Sequence, residues 1–188
     1  ESLKILKETK ALLEGHFILS SGLHSPQYVQ CAKLLSQPEK ASKICDSLAT
    51  KISKEFKEID LILSPAMGGI IVGYEIGKIM RKETIFAERV NGKFELRRDF
   101  KIEKNHKVLI VEDVITTGKS SLECSRLVFE SDAKIVGYAC IIDRSNGRSL
   151  IKDKIVSQIE LNIPTYNQKD LPENLSLIKA IKPGSRNL

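Results

Sequence analysis

The run Val108-Leu109-Ile110-Val111-Glu112-Asp113-Val114-Ile115-Thr116-Thr117-Gly118-Lys119-Ser120 concentrates the most specific chemistry in the chain. A short apolar strand ends in two adjacent carboxylates. Small hydroxyl residues and one glycine then open a helix. A helix N-terminus carries free backbone N–H groups and the positive end of the dipole, so it attracts anions. Thr116, Thr117 and Ser120 add hydroxyl groups, and Gly118 lets the backbone approach a ligand closely. Acids beside such a site suit a ligand that also carries neutral hydroxyls. A carboxylate accepting from a ribose 2′-OH or 3′-OH is worth about 1.5–3 kcal/mol per bond. Together these groups describe a socket for a ribose 5-phosphate. The plain alternative is an ordinary strand-to-helix turn with an N-cap. Two acids at a strand end do little for folding, which favours the functional reading. Gly118-Lys119-Ser120 also completes the end of a P-loop pattern, but the first glycine of that pattern falls at Asp113. A carboxylate inside a triphosphate cradle is repulsive, so nucleotide triphosphatase chemistry is disfavoured.

A second cationic feature follows the apolar run ending at Ile141-Ile142-Asp143, where Arg144 stands. Its planar guanidinium can grip a carboxylate through two parallel bonds. The alternative is a surface ion pair with Asp143. The segment 88–106 is dense in Arg and Lys and contains Asn91-Gly92, a hairpin signal. It reads as a mobile excursion from the sheet, or as a solvated charged hairpin.

These groups need a scaffold that gathers strand ends. Leu61-Ile62-Leu63, Thr84 to Ala87, Val108 to Val111 and Ile135 to Ile142 read as buried strands. Helices are predicted at about 69–81 and 119–131 between them, with another at about 39–56. That alternation predicts right-handed βαβ units and a parallel sheet, an α/β fold whose ligands bind at the strands' carboxyl ends. Upstream, residues 2–13 show helical spacing with Gly15 placed to end it, and Phe17–Leu19 and Tyr28–Cys31 read as short strands. Downstream, Ile155–Leu161 reads as a strand and 172–180 as a short helix.

Composition sets the frame. The 188 residues favour about one domain, and 41% hydrophobic with 29% charged residues is ordinary globular composition. No apolar run is long enough to cross a bilayer, so a cytoplasmic location is expected and no membrane partner. Cys31, Cys45, Cys124 and Cys140 form no Cys-x-x-Cys pair, and His16, His24 and His106 are not at ligand spacing from them. No zinc site and reduced thiols are expected. The net charge of +6 fits anionic small molecules or nucleic acid, but most lysines sit singly on helix surfaces and there is no Trp. Nucleic acid is therefore not an expected partner. No Ser-His-Asp or Cys-His array stands out.

The acid–acid–Thr-Thr-Gly run resembles the PRPP-binding motif of the type I phosphoribosyltransferases (PRPP, phosphoribosyl pyrophosphate). Gly15-His16-Phe17, Leu19 to Gly22, His24-Ser25-Pro26, Ser64 to Gly69, Phe86 to Arg89, Leu96-Arg97-Arg98, Asp143-Arg144 and Lys182 to Arg186 resemble the orotate branch of that family along nearly the whole chain. The resemblance implies a Rossmann-like core at about 39–145, a small hood from about 1–35 and 150–188, and a mobile loop at about 88–106. It implies that Glu112, Asp113, Val114, Ile115, Thr116, Thr117, Gly118, Lys119 and Ser120 bind PRPP, and that Thr116 and Arg144 contact orotate. Arg89 and Lys93 match pyrophosphate-binding positions, and Glu112, Asp113, Lys93 and Arg89 are the implied catalytic set. Gly68, Gly69, Arg97 and Arg98 could form a further pyrophosphate loop. Magnesium (Mg2+) would be held mainly by PRPP and water, with no protein metal site. A homodimer is implied, the loop serving the neighbouring subunit. The sequence departs from well-studied relatives at Gly68 and Ser20, where they carry lysines, at Tyr28-Val29, where they carry an aromatic pair, and at Lys119, often a small residue there. Transfer to a purine or another base, or a non-catalytic PRPP-binding regulator, remain the alternatives.

Overall fold

The computed structural model describes residues 1–183; Gly184, Ser185 and Arg186 of the closing run lie outside the described residues. The chain runs α1 (Ser2–Glu8), β1 (Leu12–Ile18), β2 (His24–Val29), α2 (Ala32–Leu35), α3 (Pro38–Glu55), β3 (Leu61–Pro65), α4 (Gly68–Met80), β4 (Glu83–Val90), β5 (Lys93–Leu96), β6 (Lys107–Ile115), α5 (Lys119–Glu130), β7 (Lys134–Asp143), β8 (Ile155–Glu160) and α6 (Glu173–Ser176). Six strands form one sheet in the order β5-β4-β3-β6-β7-β8. The pairs β3–β4, β3–β6, β6–β7 and β7–β8 are parallel, and β5 joins the edge antiparallel. This is the expected α/β core.

Each face of the sheet has its own core. Leu109, Val111, Ala139 and Ile141 pack with Ile44, Leu48 and Ile52 of α3 and Val72 and Ile76 of α4. Val108, Ile110, Tyr138 and Cys140 pack with Cys124, Leu127 and Val128 of α5. Burying such a side chain fully is worth about 1.5–3 kcal/mol, so the alternation along β6 and β7 fixes their register and hence where their ends lie.

β3 is the topological switch point. The chain leaves it through α4 to β4 on one side, then returns to place β6 on the other. The loops after β3 and β6 therefore diverge from adjacent strand ends and open a crevice between them.

The N-terminal end differs from its sequence pattern. The helix predicted over residues 2–13 stops at Glu8, and Leu12 and Leu13 begin β1. Thr9 caps α1 by donating its Oγ1 to Ile5 O at 2.8 Å, and Lys10 takes a positive φ of 59° that reverses the chain. β1 and β2 form a separate two-stranded antiparallel sheet. C-terminal chain lies against it: the Ile18 N–H donates to Ile181 O at 2.9 Å, and His24 and Tyr166 exchange backbone bonds of 2.8 and 2.9 Å. Inside this layer His16 Nδ1–H donates to Ile178 O at 2.8 Å, and His16 Nε2 lies 2.6 Å from His24 Nδ1. No helix among the described residues is long and apolar enough to cross a membrane.

Candidate active site

β6 carries Glu112 and Asp113 at its carboxyl end, and a strand's period of two sends them to opposite faces. Asp113 lies on the α4 side. A Cβ placed on Gly68 would stand 2.6–2.8 Å from the Asp113 carboxyl group, so only glycine lets the first residue of α4 approach it. Glu112 lies on the α5 side, where Ser121 Oγ donates to its Oε2 at 2.5 Å. Burial pushes the Glu112 carboxyl up to about 7, with the Ser121 hydrogen bond pulling it down and Asp113 adding to the rise. Burial also raises Asp113, against the Val114 N–H that donates to its Oδ1 at 2.9 Å. The two acids thus flank the strand end.

The turn after them is held by its neighbours. Gly118 caps α5 with φ 78°, a left-handed conformation, and a Cβ there would meet Ser149 Oγ at 2.6 Å and Ile151 side-chain atoms at 2.8 and 2.9 Å. The Leu150 N–H donates to Thr117 O at 2.8 Å, so the segment after β7 braces the turn. Thr116, Thr117 and Lys119 are exposed, the N-cap Gly118 has no side chain to offer, and the Lys119 N–H donates to Thr117 Oγ1 at 3.3 Å. The first turn of α5 thus offers free N–H groups, hydroxyls and a lysine at one spot, a site suited to an ester phosphate. The first turn of α4, at Gly68 and Gly69, presents a second N-terminus on the other side of Asp113. The peptide bond Ala66–Met67 leading into it is cis.

Arg144 enters from the adjacent strand end, its N–H donating to Ile115 O at 2.9 Å. It is half-buried, and burial lowers its pKa. Tyr28 of β2 acts on it electrostatically, and no carboxylate among the described residues does. The Asp143 carboxylate instead accepts from the Ser145 N–H at 2.8 Å. The ion pair considered for Arg144 and Asp143 is therefore not formed among the described residues.

The structure brings together Gly68, Gly69, Glu112 to Ser120 and Arg144. The basic excursion forms β5 and the end of β4 at the sheet edge, and meets this group through Glu123. Asn91 and Gly92 make the two-residue turn of the β4–β5 hairpin, and Phe94 and Ile102 are buried in the α5-side core. Arg89 ion-pairs with Glu123 of α5 at 2.5 Å and lies 4.2 Å from the Phe94 ring centroid. Lys119 reaches the same Glu123 at 3.9 Å. Arg97 and Arg98 approach Glu88 at 4.0 and 3.0 Å. Lys93 is exposed at the start of β5. Sequence reasoning missed Ser121 and Glu123. For Glu123 the signal was available: it stands four residues after Lys119, one helical turn. Ser121 had none, because its partner lies nine residues away across a turn. All four thiols are buried and their pKa values raised, so none is an activated nucleophile.

Comparison with known proteins gives the family and the fold. Residues 32–170 match the family model "Phosphoribosyl transferase domain". The chain is 46% identical over 189 residues to an orotate phosphoribosyltransferase of Parvibaculum lavamentivorans, covering 98% of this chain and 97% of that protein. It is 45% identical over 187 residues to one of Erythrobacter litoralis, covering 99% and 97%. The crystal structure of orotate phosphoribosyltransferase from Aeropyrum pernix superposes with a TM-score of 0.74 at 22% identity, covering 86% of this chain and 94% of that one.

Proposed function

The chain belongs to the orotate phosphoribosyltransferases, and from that premise we propose how its residues share the reaction. The enzyme moves the phosphoribosyl group of PRPP to orotate, giving orotidine 5′-monophosphate and pyrophosphate in pyrimidine biosynthesis. A ring nitrogen of orotate attacks ribose C1 as the bond from C1 to the pyrophosphate oxygen breaks, and the bonding pair departs with pyrophosphate. The transition state is loose and oxocarbenium-like. The protein contributes position and electrostatics rather than a nucleophile.

Thr116 to Ser120 and the α5 N-terminus hold the 5-phosphate, with the Val114 and Ile115 backbone leading into the turn. Asp113 and Glu112 accept from ribose hydroxyls, one on each side of the strand end. Gly68 and Gly69 offer backbone N–H groups to pyrophosphate. Arg144 takes the orotate carboxylate and Thr116 the ring. The observation that carries this division is the close approach of Gly68 to Asp113, which sets the α4 N-terminus beside one acid while Ser121 sets the α5 N-terminus beside the other. Among the described residues no three His, Cys, Asp or Glu side chains are placed to hold a metal ion. Magnesium would enter as part of the PRPP complex, held mainly by PRPP and water. Bound there, it offsets the charge of the departing pyrophosphate.

Arg89, Lys93, Arg97 and Arg98 serve the pyrophosphate of a second subunit. In support, Arg89, Arg97 and Arg98 are tied to Glu123 and Glu88 rather than to the Asp113 side of their own chain. Met67, Ile71 and Tyr74 form an exposed apolar stripe on α4 beside the site, Met67 being 84% and Tyr74 65% exposed. That stripe is the face for the second copy. The four free cysteines suit a reducing, cytoplasmic setting.

The test is an assay for orotidine 5′-monophosphate from PRPP, orotate and magnesium, with uracil, adenine and hypoxanthine as rival acceptors. Orotate turnover well above the others is expected. Preferential turnover of a purine, or PRPP binding with no turnover, overturns the assignment. Light scattering at assay concentrations reads the dimer, and a monomer at full activity overturns the shared-loop arrangement.

A further inference from the structure

We propose that Ser121, one residue beyond the phosphate turn, is a positioning residue that holds the Glu112 carboxylate in its working orientation for the ribose of PRPP. The proposal rests on Glu112 being a ribose-binding acid. Ser121 is 0% exposed in the first turn of α5, and its Oγ donates to Glu112 Oε2 at 2.5 Å. That distance is in the short range of charge-assisted hydroxyl–carboxylate bonds. Glu112 Oε1 takes no hydrogen bond among the described residues. One oxygen is thus fixed by the protein and the other is left for a ligand hydroxyl.

The bond is not a routine use of a helical serine. Ser125, one turn further along α5 and also buried, donates to Leu122 O at 2.6 Å. Ser131 donates to Leu127 O at 2.9 Å. Helical serines commonly return their hydroxyl to the preceding turn in this way. Ser121 instead reaches across to β6, and no other donor among the described residues supports the Glu112 carboxyl. The charged and titratable groups around Glu112 are Asp113 on its own strand, Cys124 on α5 and Cys140 on β7. Beyond Cys124 lie Glu123, Arg89 and Arg126. Asp113 repels a carboxylate charge on Glu112, and the neutral buried thiols offer no compensating cation, so losing the Ser121 hydroxyl favours the protonated acid. Protonated Glu112 donates where it should accept, and its free oxygen is no longer held in place.

The test compares Ser121→Ala, Ser121→Thr, Glu112→Gln and the double variant Ser121→Ala/Glu112→Gln, following kcat/KM for PRPP against pH. Ser121→Ala is expected to lower kcat/KM for PRPP about tenfold or more near neutrality, with KM for orotate within about twofold of wild type. Its acid limb moves to higher pH, because the acid must be ionised and has lost the bond that favoured ionisation. Ser121→Thr restores the hydroxyl and most of the activity. In the double variant the alanine adds no further loss, since it acts through Glu112. If Glu112→Gln leaves kcat/KM for PRPP unchanged, the ribose-acid reading fails. If Glu112→Gln is impaired but Ser121→Ala keeps the wild-type value and acid limb, the positioning role alone is overturned. Should the alanine variant not fold, Ser121→Cys, similar in volume with a weak donor, takes its place with the same expectations.

Discussion

Replacing Arg144 with glutamine isolates one interaction, because orotate and uracil differ by the carboxylate that Arg144 is placed to bind. The guanidinium is half-buried, its pKa is lowered by that burial, and no acid partner acts on it. Part of its desolvation is therefore already met in the free enzyme, and an arriving carboxylate finds an unpaired fork. Two parallel charge-assisted bonds at about 1.5–3 kcal/mol each give roughly 3–6 kcal/mol. Partial exposure screens the pair, which reduces the expected loss to about 2–4 kcal/mol. With tenfold per 1.4 kcal/mol, kcat/KM for orotate falls on the order of 30- to 1,000-fold. Uracil, as acceptor or as competitive inhibitor, changes by less than about threefold on the same reasoning, since it offers no carboxylate. KM for PRPP stays put. Arg144→Lys recovers only part of the loss, because an ammonium keeps the charge without the fork. Steady-state kinetics with each acceptor at saturating PRPP measures all of this. Equal losses for orotate and uracil, or a parallel rise in KM for PRPP, would refute the reasoning and make Arg144 a structural residue.

Asp113→Asn removes one charged acceptor from the ribose site, so kcat/KM for PRPP should drop about 10- to 150-fold on a loss of about 1.5–3 kcal/mol; unaffected transfer rejects the ribose role of Asp113. Gly118→Ala must hold alanine at a φ of 78° with its Cβ 2.6 Å from Ser149 Oγ. That costs about 1–2 kcal/mol for the backbone and about 1–3 kcal/mol for crowding, so Tm falls by several degrees and KM for PRPP rises; wild-type values of both refute it. Glu112 has an ordinary value of 4.5 and is raised to about 7 in the fold, so the folded state holds a proton that the unfolded chain has lost between those values. Stability from this group is complete below 4.5 and declines as pH rises through about 7, by about 3 kcal/mol in all. Glu112→Gln should flatten that decline and melt higher than wild type at pH 8; an unchanged slope of Tm against pH removes the linkage.

The sheet was legible because its strands are continuous apolar runs and its helices are long enough to show a period. The helix predicted at about 39–56 is α3, Pro38–Glu55, and the strand ending in Glu112-Asp113 extends two residues further, to Ile115. The N-terminal hairpin was only half legible. Leu3, Leu6 and Leu13 suit a helical period, but Leu12 and Leu13 gain more by pairing with Val29 and Tyr28. The four-residue α2 is too short to show any period. Within the site, residue types and their order along β6 were visible, but the partners of Arg89, Arg97 and Arg98 were not. Those depend on which face Glu88 and Glu123 occupy once the β4–β5 hairpin is anchored by Phe94.

Direct succession of the two acids acquires a reason once the faces are known. Neighbours on a strand must diverge, whereas acids two apart would share a face. Here divergence sends Asp113 toward the N-terminus of α4 and Glu112 toward that of α5, the helices that cover opposite faces of the same strand end. PRPP has a matching polarity: pyrophosphate at one end, a phosphate ester at the other, and hydroxyls between. A ligand with anions at both ends and neutral donors in the middle is met by two positive helix ends with a carboxylate beside each. Beyond the pair the alternation lapses, Val114 packing on the α4-side core and Ile115 on the α5 side, so the placement of one acid at each helix end belongs to positions 112 and 113 themselves.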